Sequence, residues 1–252
     1  MARDTSSTRR RTAPSRSHAD AFSAFRAGAL AILPAAVAVV PFGLLLGARA
    51  VEKGLSPLET MLMSALVFAG SSQFVAVELW RDPVPWGVIL ASTLLINSRH
   101  VLMGASLAPK MRGFGAPQSL LGLFFLADEV WALAERRAAD QGLSPAFYFG
   151  LATTLYANWI FWTGLGAFLG ALVRDPAAYG FDFAFTAIFI GLLAALWRGP
   201  SSGAAIAVAM LVSAGVSLVA TGPWSILVGG LAGTAAGALW SLRAAKAREA
   251  SP

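Results

Sequence analysis

The chain has 252 residues, 57% hydrophobic and 13% charged, with 19 Lys and Arg against 13 Asp and Glu for a net charge of +6. A soluble domain carries about 25% charged residues, so there are too few here to cover a water-facing surface, and several apolar runs reach the roughly 20 residues a bilayer core demands. Soluble classes are thereby excluded, and the chain reads as an all-α integral membrane protein, one polytopic bundle of about eight spans, some of them broken at mid-membrane.

The charge distribution argues against nucleic acid. Arg3, Arg9, Arg10, Arg11 and Arg16 crowd one end and Arg243, Lys246 and Arg248 the other, as expected for basic ends held on the cytoplasmic side beside anionic headgroups. With no cysteine, disulfides, zinc–thiolate sites and iron–sulfur clusters are ruled out. No cofactor or metal is expected.

Residues 1–20 are rich in Ser, Thr, Arg and Pro and read as a disordered, basic cytoplasmic tail, with His18 a solvated tail residue. A single transmembrane domain is expected over 21–243, followed by a cytoplasmic tail, 244–252. The first expected span, 27–48, contains Pro34, Pro41 and Gly43, so a kink is expected, for packing or for a substrate path. The second, 58–80, carries Gly70-Ser71-Ser72-Gln73 at its centre. That cluster either packs closely against a neighbouring helix or breaks the span, and a break would present free N–H groups to an anion.

The third, 84–108, contains Asn97-Ser98-Arg99-His100. An arginine near mid-membrane costs about 2.5–3.5 kcal/mol on insertion scales and persists only if it faces protein or water. The fourth, 118–134, holds Asp128, Glu129 and Trp131, and Glu135, Arg136, Arg137 and Asp140 then read as a solvated loop. The run 145–173 is too long for one straight helix and is expected to tilt, break or include an interfacial piece. Further spans are expected over 183–197, 202–220 and 224–242, the last with Gly229, Gly233 and Gly237 on one face for close helix packing. Eight spans place both termini in the cytoplasm and the basic loops inside. No internal repeat is visible.

The three polar clusters define the candidate site. Arg99 can pair bidentately with a carboxylate, either that of Asp128 or Glu129 as a structural ion pair or that of a substrate. With two acids against one arginine, one acid is left for a substrate ammonium or a proton. His100 is a structural imidazole or a proton carrier. The candidates are therefore Arg99, Asn97, Gly70, Ser71, Ser72 and Gln73 for substrate, and Asp128, Glu129 and His100 for proton or ammonium coupling. An enzyme is not expected: Ser106 lies six residues from His100 on the same run, on another helix face, and no phosphate loop or metal-ligand set occurs.

The order Pro34…Pro41-Phe42-Gly43, then FAGSSQF (Phe68–Phe74), NSRHVLMGASLAP (Asn97–Pro109) and DEVWAL (Asp128–Leu133) resembles the AzlC family, the large subunits of bacterial branched-chain amino acid exporters. The likeness covers roughly residues 25 to 240 and is strongest in the first half. It implies an inner-membrane export permease for valine, leucine and isoleucine, with methionine a further candidate. It also implies coupling to the proton gradient and a small hydrophobic AzlD-type partner subunit. Two alternatives stay open, a passive channel and a non-transporting scaffold subunit.

Overall fold

The computed structural model describes residues 18–172, 199–219 and 224–249, with the isolated positions 190, 194 and 197. All regular structure among them is helical. Apart from those three positions, the run expected over 183–197 lies outside the described residues, as does most of the N-terminal tail. Residues 18–20 belong to the first helix rather than to a tail.

That helix, α1 (His18–Ala38), is followed after Val39 by α2 (Val40–Glu52). Pro41 causes the break: it cannot donate backwards, so it is accommodated in the first turn of a new helix, where donors are unpaired anyway. The two helices run alongside α9 (Pro145–Leu172) in the same direction, Ala36 beside Asn158 and Leu44 beside Gly166. Backbones touch here. A Cβ at Gly28 would collide with the Phe147 carbonyl and one at Gly47 with that of Thr163, so both positions must be glycine for the helices to approach.

The second expected span is instead a hairpin. Helix α3 (Pro57–Leu66) ends in the extended residues Val67–Ala69, and α4 (Gly70–Leu79) follows. The amide of Gln73 donates to Ser64 Oγ at 3.1 Å across the tip, a contact that one straight helix could not make over nine residues. At the other end of α4, Glu78 meets Arg49, at the end of α2, at 3.0 Å. Chain entry and exit therefore lie on the same side. Each ten-residue arm is about 15 Å long, half of a roughly 30 Å bilayer core.

Helices α5 (Trp86–Asn97) and α6 (Arg99–Leu107), with a 3₁₀ turn (Ala108–Lys110), cross the bundle with an interruption at Ser98. A second hairpin then enters from the opposite side. Helix α7 (Ala116–Phe124) climbs from Gly122, whose carbonyl accepts from Tyr148, to Phe124 and Phe125 against Tyr156. After Phe125–Ala127, α8 (Asp128–Gln141) returns until Arg137 lies over the ring of Phe147. Glu135, Arg136, Arg137 and Asp140, expected in a loop, are helical. The fourth expected span is thus also a half-depth hairpin.

Helix α9 runs 28 residues without the break considered for it. After Pro145 it contains no proline, and Gly150, Gly166 and Gly170 are held against neighbouring backbone. Helices α10 (Pro200–Val219) and α11 (Trp224–Glu249) pack on each other, with Gly229, Gly233 and Gly237 against Ser213, Ala209 and Ala205. The glycine stripe therefore serves internal packing, and the helix extends to Glu249, past the point where a tail was expected. Among the described residues, four helices are long and apolar enough to cross a membrane: 19–38, 86–110, 145–172 and 200–219.

Candidate substrate site

The tips of the two hairpins and the interruption at Ser98 meet around a cavity of about 460 Å³. Its polar wall is Gly70, Ser71, Arg99, His100, Asp128 and Glu129, and its apolar wall includes Val39, Phe42, Phe68, Phe74, Leu155 and Trp159. Six of the nine candidate residues therefore line one cavity, although they come from three helices up to 59 positions apart in sequence.

Arg99 is the hub. Its Nη1 lies 2.6 Å from Asp128 Oδ2, and its Nη2 donates to Ser71 Oγ at 2.6 Å. One guanidinium thus joins the tip of the first hairpin to the tip of the second. The two side chains remain 38% and 48% exposed, so the pair borders open space and can exchange partners. The third donor, Arg99 Nε, is buried with no hydrogen-bond partner among the described residues.

Both α4 and α8 start at an alanine that offers no side-chain cap. Ala69 and Ala127 precede first-turn N–H groups that lack intrahelical acceptors, at the positive ends of the two helix dipoles. Asp128 and Glu129 occupy that position on α8, where negative charge is favoured. The half-buried Glu129 makes no ion pair among the described residues. His100 is placed by its Nδ1, 3.2 Å from Asn97 O.

Asn97, Ser72 and Gln73 do not line this cavity. The amide of Asn97 donates to Ser72 Oγ at 3.2 Å, tying α5 to the first hairpin, and Ser72 Oγ donates to Ala69 O at 2.9 Å across the helix start. Gln73 is buried, bonded to Ser64 and to the indole of Trp159. Asn97 instead borders a smaller cavity of about 190 Å³ between the hairpin tips, which His100 borders as well. Trp131, close to Asp128 and Glu129 in sequence, lies outside the cavity: its Nε1 donates to Ser106 Oγ, which in turn donates to Glu135. Among the described residues, Ser106 has no imidazole partner.

Sequence reasoning missed Val39, Phe42, Leu155 and Trp159. An aromatic or aliphatic residue within an apolar run looks the same whether it faces lipid, core or cavity. Only the tryptophan beside Asn158 gave a weak signal.

Each hairpin is also fastened at its outer end. Arg49 bonds Glu78 through Nε and Nη2 and Glu52 through Nη1, with Lys53 3.5 Å from Glu78. On the opposite side Lys110 pairs with Glu135 and donates to Ser106 O. In both cases an acid eight or nine residues past the hairpin tip meets a base at the end of a crossing helix. The two halves are related by inversion in arrangement without visible sequence repetition.

No solved structure matches the chain. The family model "AzlC protein" matches residues 34–173, which contain the whole cavity. The inner membrane protein YgaZ of Escherichia coli is 30% identical over 224 residues, 86% of this chain and 89% of that one. An uncharacterized membrane protein of Archaeoglobus fulgidus is 30% identical, covering 72% and 80% respectively. The branched-chain amino acid transport protein AzlC of Bacillus subtilis is 27% identical, covering 70% and 69%. With the matched segment spanning both hairpins and relatives alike over most of their length, the chain is a membrane protein that belongs to the AzlC family.

Proposed function

We propose that this chain is an inner-membrane permease that exports branched-chain amino acids, driven by the proton gradient and working with a small AzlD-type subunit. The observation that carries this reading is the cavity itself, with a guanidinium, two carboxylates and uncapped helix starts facing an aromatic and aliphatic wall. That combination suits a zwitterion with an apolar side chain. The substrate carboxylate bonds Arg99, Ser71 and the N–H groups at Gly70 and Ser71, replacing Asp128 on the guanidinium. Asp128 or Glu129 receives the ammonium, and the remaining acid, with His100, carries the proton. Asn97, Ser72 and Gln73 support the hairpin tips. The transport activity of the Bacillus relative favours the same substrate class.

Transport proceeds by opening the cavity to one face at a time, with the Arg49–Glu78 and Lys110–Glu135 fastenings as the two gates. The N-terminal face is cytoplasmic: Arg26, Lys110, Arg112, Arg136 and Arg137 gather there, against Arg49, Lys53 and Arg81 opposite. With two of the eight expected spans replaced by hairpins, the crossings left are even in number and the C-terminus faces the same compartment.

The test is uptake of labelled leucine by everted membrane vesicles with an acidic interior. Accumulation should require the small subunit and collapse with the gradient. Arg99→Lys and Asp128→Asn should each lower it about tenfold or more, the effect of losing a charge-assisted hydrogen bond, at constant protein level in the membrane. Unaltered accumulation in both variants overturns the site. Flux indifferent to the gradient makes the chain a channel, and no flux with the partner present makes it a scaffold.

A further inference from the structure

Trp159 is the one large aromatic residue of the cavity wall that is fixed by a buried hydrogen-bond chain. Its indole Nε1 donates to Gln73 Oε1 at 2.9 Å, and Gln73 Nε2 donates to Ser64 Oγ at 3.1 Å. Trp159 is 6% exposed, Gln73 1% and Ser64 0%, so the chain lies within the protein and joins α9 to both arms of the first hairpin. A buried indole N–H or amide without a partner is costly, so the ring is held in one orientation. Its six-membered edge rests on Gly70: a Cβ there would lie 3.0 Å from both Cη2 and Cζ2. Gly70 is also the first residue of α4, adjacent to Ser71, which Arg99 holds.

We propose that Trp159 is the specificity-determining residue of this site, and that Gln73 is a positioning residue acting through it. The inference rests on the amino acid transport reading. When the zwitterionic head is held at Ser71, Arg99 and Asp128, the side chain points toward the wall where Trp159 covers Gly70. The fixed ring then sets the largest side chain admitted. A flexible side chain there would yield to a bulky substrate, whereas an indole anchored through Gln73 and Ser64 does not. Gly70 has a second constraint beside the helix break, since any side chain there must share space with the ring.

The test compares uptake of labelled valine, leucine and phenylalanine in the vesicles described above, with the small subunit present. Trp159→Phe removes ring volume and should raise the phenylalanine-to-leucine ratio about tenfold, the lower end of what one methylene is worth in an apolar pocket. Gly70→Ala adds volume beneath a fixed ring and should lower the leucine-to-valine ratio by a similar factor. Gln73→Met keeps length but removes the strong acceptor, so the ring can give. In that background the effect of Gly70→Ala on the ratio should shrink to about threefold or less, a rescue that a merely structural role for Gln73 would not produce. Ligand-induced shifts in melting temperature with the same amino acids report the same ratios without flux. If a variant fails to assemble, the other, with the opposite expected sign, decides. Uptake with unchanged ratios in Trp159→Phe and Gly70→Ala overturns the specificity role, and an undiminished Gly70→Ala effect in the Gln73→Met background overturns the positioning role. Absence of uptake by the unaltered protein overturns the transport reading itself and this inference with it.

Discussion

Arg99 shows how far a single residue can be read from sequence. Its presence in an apolar run demanded a partner, and the structure supplies two, Asp128 and Ser71. Ser71, His100, Asp128 and Glu129 were legible for the same reason, polarity where lipid contact forbids it, and Gly70 as the head of the cluster that Ser71 belongs to. The side chains that complete the cavity were not. Trp159 and Phe42 carry no such contradiction, and the engagement of Gln73 with Trp159 depends on a contact across 86 positions. Because the Arg99–Asp128 pair is partly open to the cavity, its coupling should be modest, about 0.5–1 kcal/mol. A double-mutant cycle with Arg99→Ala and Asp128→Ala, read by thermal unfolding in detergent, should return that value. Coupling several times larger would mean a closed structural ion pair that does not exchange with substrate.

At the scale of elements, hydropathy found the apolar runs but not their direction. Two ten-residue arms in series have the apolar length of one crossing helix. The reversals at Val67–Ala69 and Phe125–Ala127 contain neither glycine nor proline, the usual signals of a turn. The start of the first hairpin was better marked. Ser56 and Glu59 form a capping box: the Glu59 carboxylate accepts from the Ser56 N–H at 2.7 Å and from its hydroxyl at 2.8 Å, and Ser56 Oγ accepts from the Glu59 N–H. Glu59→Gln keeps the shape of the box but weakens both bonds to Ser56, so it should lower the melting temperature in detergent, and an unchanged melting temperature would mean that the box does not hold the start of the hairpin.

At the scale of the whole molecule, the hairpins enter from opposite faces and share one cavity, and the proposed alternating exposure of a central site rests on that arrangement. Inversion was invisible in the sequence because the halves match in backbone course rather than in residues: the tips read Val-Phe-Ala before Gly70 and Phe-Leu-Ala before Asp128. The two outer fastenings should then act in opposite senses. Glu78 is held by Arg49 and Lys53 on one face, and Glu135 by Lys110 on the other. Since the chain has no cysteine, Ala127→Cys places a single thiol on the cavity wall against a silent background. Removing one carboxylate charge weakens the ion pairs at that face and shifts the population toward the state open there, by as much as the two states differ in those contacts. Glu78→Gln should raise labelling of the thiol by a charged, impermeant reagent applied from the Arg49 face and lower it from the Lys110 face. Glu135→Gln should do the reverse. Right-side-out and everted vesicles give the two measurements. Parallel changes from both faces would mean that each substitution simply loosens the bundle, and the fastenings would then be struts rather than gates.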